Sequence, residues 1–255
     1  TFNTARILGP AAGAWLIAHF SVAAAYTAAG LLFAGALPVL AALRDVEAPP
    51  PRAAGSFARQ LREGVAYARQ HPGIRLIFAF TLLNGLLGRT VIELLPALNG
   101  QLLGGDSTTL ATLTASAGAG SIAGGLIVSR QSGRETRLLG LVAAALGGGG
   151  LVLALATLLD GLTAFCGLIA LVSLITTMAG TGSQALAQLT VDEAFRGRVL
   201  NLWTVLAMGA PALGGLLMGT AADRLGFPVV LTAFGAAGAM VALLLYRRRG
   251  ALQSS

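Results

Sequence analysis

Apolar stretches about twenty residues long follow one another along this chain, separated by connections rich in arginine, proline or glycine. A helix rises 1.5 Å per residue, so about 20 apolar residues cross the ~30 Å hydrocarbon core of a bilayer. Composition points the same way. The chain has 255 residues, 55% hydrophobic and 11% charged, with mean hydropathy +0.78. Soluble domains carry about 25% charged residues, so a water-exposed surface of this size is hard to build here. The expected class is all-α: a polytopic membrane helix bundle in contact with the lipid bilayer.

Several other classes are disfavoured. The net charge is +7, carried by 17 basic residues that are all arginine. They sit at the ends of apolar spans rather than on one basic face, which argues against nucleic acid. Cys166 is the single cysteine, leaving no disulfide framework or metal cluster. His19 and His71 lie at span ends without a partner at ligand spacing, and Gly182-Ser183 has no histidine in a neighbouring span. An intramembrane enzyme is therefore not expected, and no cofactor is. No Gly-x-x-x-x-Gly-Lys loop exists, which excludes ATP drive within this chain.

Eight spans are expected, at roughly 5–20, 23–43, 74–96, 108–129, 138–158, 162–189, 199–221 and 228–246. Alternate connections carry Arg6, Arg44, Arg52, Arg59, Arg62, Arg69, Arg75, Arg130, Arg134, Arg137, Arg196, Arg198 and Arg247 to Arg249. The opposite connections hold only Arg224, beside Asp106, Asp160 and Asp223. The positive-inside rule assigns the arginine-rich side, and with it the C-terminus, to the cytoplasm of a cell inner (plasma) membrane. The long connection 44–73 begins with the stiff Ala48-Pro49-Pro50-Pro51. Residues 56–70 then read as an amphipathic helix, with Phe57, Leu61 and Val65 on one face and Arg59, Arg62, Glu63 and Arg69 polar. It either lies along the membrane surface or is a solvated linker. The expected organisation is two helices in 1–43, a linker in 44–73 and a six-helix bundle in 74–255.

Polarity repeats along the spans. The second, fifth and eighth are nearly free of polar side chains, as suits helices facing lipid. The helices between them carry polar stripes. Thr177, Thr181, Gln184 and Gln188 fall within about a 60° sector. Thr112 and Ser116 share a face, and Asn201 and Thr204 open the seventh span. Such groups either line a polar passage or act as interhelical hydrogen-bonding glue. Gly120-x-x-x-Gly124 and Gly215-x-x-x-Gly219 read as close-packing motifs.

Local motifs add a resemblance. Arg6-Ile-Leu-Gly-Pro-Ala-Ala-Gly13 is similar to the Gly-Pro-x-x-Gly signature of helix five in antiporters of the major facilitator superfamily, with Arg6, Gly9, Pro10 and Gly13 as its elements. Thr90-Val-Ile-Glu-Leu-Leu-Pro96, Asp192-Glu-Ala-Phe-Arg-Gly-Arg198 and Gly215-Leu-Leu-Met-Gly-Thr-Ala-Ala-Asp-Arg-Leu-Gly226 resemble its enterobactin-exporter-like, transmembrane secretion effector branch. Ser129-Arg-Gln-Ser-Gly-Arg134 stands where the superfamily keeps a basic turn between helices eight and nine. In that superfamily every third helix is peripheral, so the plain helices here would be six, nine and twelve. The resemblance implies that the chain, which opens with Thr1, begins at helix five and lacks the first four.

Arg89 and Glu93 are the only charges well inside a span. At i and i+4 they can pair, which lowers the cost of burying each. Glu93 could load and release a proton under the control of Arg89, or the pair could serve folding alone. Ideal helix geometry places Asn84 about 140° from Arg89 and about 180° from Glu93. Asn84 is grouped with Thr112, Ser116, Thr177, Thr181, Gln184, Gln188, Asn201 and Thr204 as candidate cavity lining. The expected function is a secondary exporter of a small amphipathic organic substrate, driven by protons as the resemblance implies. It would work by alternating access. The alternative is a truncated or split product that needs its missing N-terminal helices or a partner chain.

Overall fold

The computed structural model describes residues 16, 20–42, 57–131, 135–159 and 161–247. Most of the first expected span, the Arg6–Gly13 motif and the Ala48–Pro51 linker lie outside these residues. The chain divides into two units, Thr1–Phe57 and Ala58–Ser255. In the first, α1 spans Val22–Ala42, with the Ser21 hydroxyl accepting from the Ala24 amide at its start.

The second unit is all-helical among its described residues. It contains α2 (Phe57–Gln70), α3 (Pro72–Glu93), α4 (Leu95–Leu103), α5 (Ser107–Ser129), α6 (Glu135–Ala154, with a 3₁₀ turn at Ala156–Leu158), α7 (Leu162–Thr190), α8 (Arg196–Leu225) and α9 (Phe227–Arg247). Six of these helices (α3, α5, α6, α7, α8 and α9) are long and apolar enough to cross a membrane. The helix ends follow local chemistry. Pro72 opens α3, where a missing N–H costs nothing. The Asp106 carboxylate caps α5 by accepting from the Thr109 amide at 2.9 Å. Gly104, Gly161 and Gly226 take positive φ at the turns after α4, before α7 and after α8.

Glycine sets the closest crossings. A Cβ on Gly120 or Gly124 would collide with the Ala170 or Leu174 backbone, so α5 lies directly on α7. Gly150 of α6 and Gly235 of α9 face each other in the same way, joining the two plain helices of this unit. Gly214 of α8 presses on Leu86 and Thr90 of α3, and Gly85 of α3 meets Ala210 and Pro211 of α8. Gly215 and Gly219 have open space where a Cβ would sit. The second Gly-x-x-x-Gly pair is thus not a packing seam within this unit. The glycine that packs is one position earlier, because the face of α8 that meets α3 is centred on Ala210, Pro211, Gly214 and Met218, all buried.

The third expected span is not one regular helix. Residues Gly85–Arg89 form a π turn, and the helix breaks at Leu94 (φ −83°, ψ 5°) before α4 continues to Leu103. Thr90 holds the π turn: its hydroxyl donates to the Gly85 carbonyl at 2.9 Å and reaches the Pro211 carbonyl of α8 at 3.2 Å. Pro96 lies in the first turn of α4, where it breaks no hydrogen bond.

Candidate transport site

The Arg89–Glu93 pair reaches from the last residue of the π turn, Arg89, to Glu93 just before the Leu94 break. Arg89 Nε lies 3.0 Å from Glu93 Oε1, with the side chains 37% and 47% exposed. The pair therefore opens onto the surface of the bundle rather than its core. A π turn holds one residue more than an α turn and sets the later residues of the helix back in phase by about 100°. Glu93 then lies about 80° from Asn84, not the about 180° of an ideal helix. The sequence carries no periodic signal for this insertion.

Asn84 is buried in the unit, donating to the Thr176 carbonyl of α7 at 3.2 Å. The structure does not bring it together with Arg89 and Glu93. Thr177 is half-buried and donates to the Ser121 hydroxyl of α5 at 3.0 Å. Counted along α7, it falls within about 20° of Ala170, whose backbone meets Gly120. The polar stripe of α7 therefore continues the α5–α7 seam. Thr181 on that stripe is half-buried, and Gln184 and Gln188 emerge exposed further along. On α5, Thr112 is exposed and Ser116 half-buried; their hydroxyls donate back to Thr108 and Thr112. On α8, Asn201 and Thr204 are exposed, with Thr204 donating to Leu200.

A second polar cluster joins the start of α8 to the linker helix α2. Local pairing of Asp192 and Glu193 with Arg196 and Arg198 would satisfy the sequence, but the described contacts run across the fold. The Tyr67 hydroxyl donates to Asp192 Oδ2 at 2.9 Å and lies 3.2 Å from the Asp192 amide. Arg198 pairs with Glu63 at 2.9 Å and lies over the Phe195 ring. Tyr67 stacks between His71 and Phe195, with ring centroids 3.8 and 4.5 Å away. Burial pushes the Tyr67 phenol above its ordinary pKa. Gly64 makes the close approach possible, since a Cβ there would press on Leu202 and Arg198. The side of α2 packed against protein is thus that of Gly64, Tyr67 and Ala68, while Val65, expected on the apolar face, is exposed and the side chains of Phe57 and Leu61 lie outside the described residues. The neighbour that α2 meets lies more than a hundred residues away, which its amphipathic pattern could not indicate.

Among the described residues no group of three or more histidine, cysteine, aspartate or glutamate side chains could hold a metal ion. No curated protein and no solved structure matches the chain. The family model described as transmembrane secretion effector matches residues 1–253. With almost the whole length matched, and six membrane-length helices in an all-helical unit, the chain belongs to the transmembrane secretion effector family of major facilitator transporters.

Proposed function

We propose that this transporter chain acts in proton-coupled efflux of a small amphipathic organic molecule, by alternating access in a cell inner membrane. Glu93 carries the proton, and Arg89 restrains it until substrate or a conformational change separates the two. The observation that carries the proposal is the Arg89–Glu93 ion pair itself. It is a charged pair at 3.0 Å, partly open to the surface, with Arg89 closing the π turn and Glu93 next to the Leu94 break. An ionisable group at membrane depth is expensive and is retained for function more often than not. The exposed polar groups Thr112, Gln184, Gln188, Asn201 and Thr204, with half-buried Ser116 and Thr181, would line the path. The arginine-bearing helix ends and the C-terminus would face the cytoplasm.

The test is Glu93→Gln in the complete protein, reconstituted in proteoliposomes with an imposed pH gradient. Gradient-driven transport should be lost while the protein remains folded. Export at the wild-type rate by this variant would remove Glu93 from the coupling mechanism.

A further inference from the structure

The turn that precedes Glu93 decides where its carboxylate points. One residue more or fewer in that turn rotates everything after it by about 100°. The stretch Gly85–Arg89 contains no proline that would force the wider form. Thr90, which follows it, makes the hydrogen bonds of the wide form. Its N–H reaches the Gly85 carbonyl, five residues back, and its hydroxyl donates to the same oxygen at 2.9 Å. Helical threonines ordinarily bond the carbonyl three or four residues back. Thr81, Thr112, Thr114 and Thr204 do so here, each at four. Thr90 departs from them by one residue, the same residue that the π turn adds.

The arrangement is also held from outside α3. Thr90 is wholly buried, and its hydroxyl lies 3.2 Å from the Pro211 carbonyl of α8. Gly214 of α8 leaves the room for it, since a Cβ there would collide with Thr90 Oγ1 and stand 2.6 Å from the Leu86 carbonyl. That carbonyl is the one an α turn would offer to the Thr90 N–H; here it lies against α8 instead. In the stretch after the turn, Val91 is 2% exposed, whereas the Glu93 side chain, about 200° further round, is 47% exposed. We infer that Thr90 is a positioning residue for Glu93: its hydroxyl keeps the extra residue in the turn, and the extra residue sets which way the carboxylate faces. The role rests on Glu93 carrying the proton, as proposed above. Without the hydroxyl the turn tightens to the α form, and Glu93 swings by about 100° away from its open side.

The test compares the full chain with its Thr90→Val and Thr90→Ser variants, which respectively remove and keep the hydroxyl at nearly constant shape. Two readouts are taken. The first is the rate at which a water-soluble maleimide labels Glu93→Cys in a Cys166→Ser background. Labelling should slow in Thr90→Val and stay at the parent rate in Thr90→Ser. The second is the pH profile of gradient-driven transport with Glu93 in place. Its midpoint should move by about one unit in Thr90→Val, because the carboxylate meets new surroundings, and return in Thr90→Ser. A protein that is merely less stable loses amplitude without moving the midpoint. Equal labelling in all three chains, or an unmoved midpoint in Thr90→Val, would overturn the inference. Slowed labelling beside wild-type export by Glu93→Gln would instead remove the proton reading and leave the placement of residue 93 by Thr90 standing. Should Thr90→Val fail to fold, Thr90→Ala against Thr90→Ser gives the same comparison.

Discussion

Two helices of the second unit carry the same small-residue spacing and use it differently. In α5, Gly120 and Gly124 both press on the backbone of α7. In α8, Gly215 and Gly219 face open space, while Gly214 packs against α3. A Gly-x-x-x-Gly pair permits a close approach along one face of a helix. Which face turns inward depends on the rest of the bundle. On α8 the choice falls to Pro211, whose carbonyl accepts from Thr90, and to the buried row that includes Ala210 and Met218. At its N-terminal end α8 is held differently again, by the linker helix α2 through Tyr67, Glu63 and the close approach at Gly64.

Substitutions can sharpen this contrast. Gly120→Ala should cost the most, about 1–3 kcal/mol, because the new methyl meets a backbone carbonyl that cannot yield without moving α7. Thermal unfolding of the purified protein measures it. Tyr67→Phe comes next. It removes the donor to Asp192 and leaves that carboxylate without its partner on α2, at a cost of about 1–2 kcal/mol. A loss no larger than for an exposed phenylalanine substitution would show that α2 is held by packing alone. Thr177→Val removes the Ser121 hydrogen bond within the seam and should cost about 0.6 kcal/mol, the average for such bonds between membrane helices. Gly215→Ala and Gly219→Ala should have the opposite sign, neutral to stabilising by up to about 1 kcal/mol, since alanine favours the helix and nothing among the described residues stands in its way. If these last two destabilise as much as Gly120→Ala, the proposed difference between the helices collapses.

High pH offers a separate probe of the α2 contact. The Tyr67 pKa is raised in the folded protein, so the neutral phenol is the form that folding favours. That contribution is fully present below the ordinary value near 10 and is lost as pH rises through the raised folded value. Ultraviolet titration should therefore show one late-ionising tyrosine in the folded chain that is missing from Tyr67→Phe.

Much of this architecture is legible from residue order. The spans of α5, α6, α7, α8 and α9 can be placed because a bilayer demands about 20 apolar residues in each crossing. Asp106, Gly161 and Gly226 mark helix ends because capping and positive φ are local chemistry. Arg89 and Glu93 can be paired because i and i+4 are neighbours on any α-helix. The α7 stripe is harder. Its common face follows from periodicity, but periodicity is silent on what that face meets. Thr177 finds Ser121 on α5, while Gln184 and Gln188 stay exposed.

Residue order alone is enough for an all-helical membrane chain, the approximate spans and the i, i+4 charge pair, because these depend on solvent and on nearest neighbours along one helix. The π turn, the inward face of α8 and the partner of Asp192 come from the assembled bundle instead. The π turn exists because Thr90 bridges Gly85 and a carbonyl on another helix. Asp192 meets Tyr67 because Gly64 lets α2 approach α8. Each depends on a contact between residues distant in the chain, and no local period encodes such a contact.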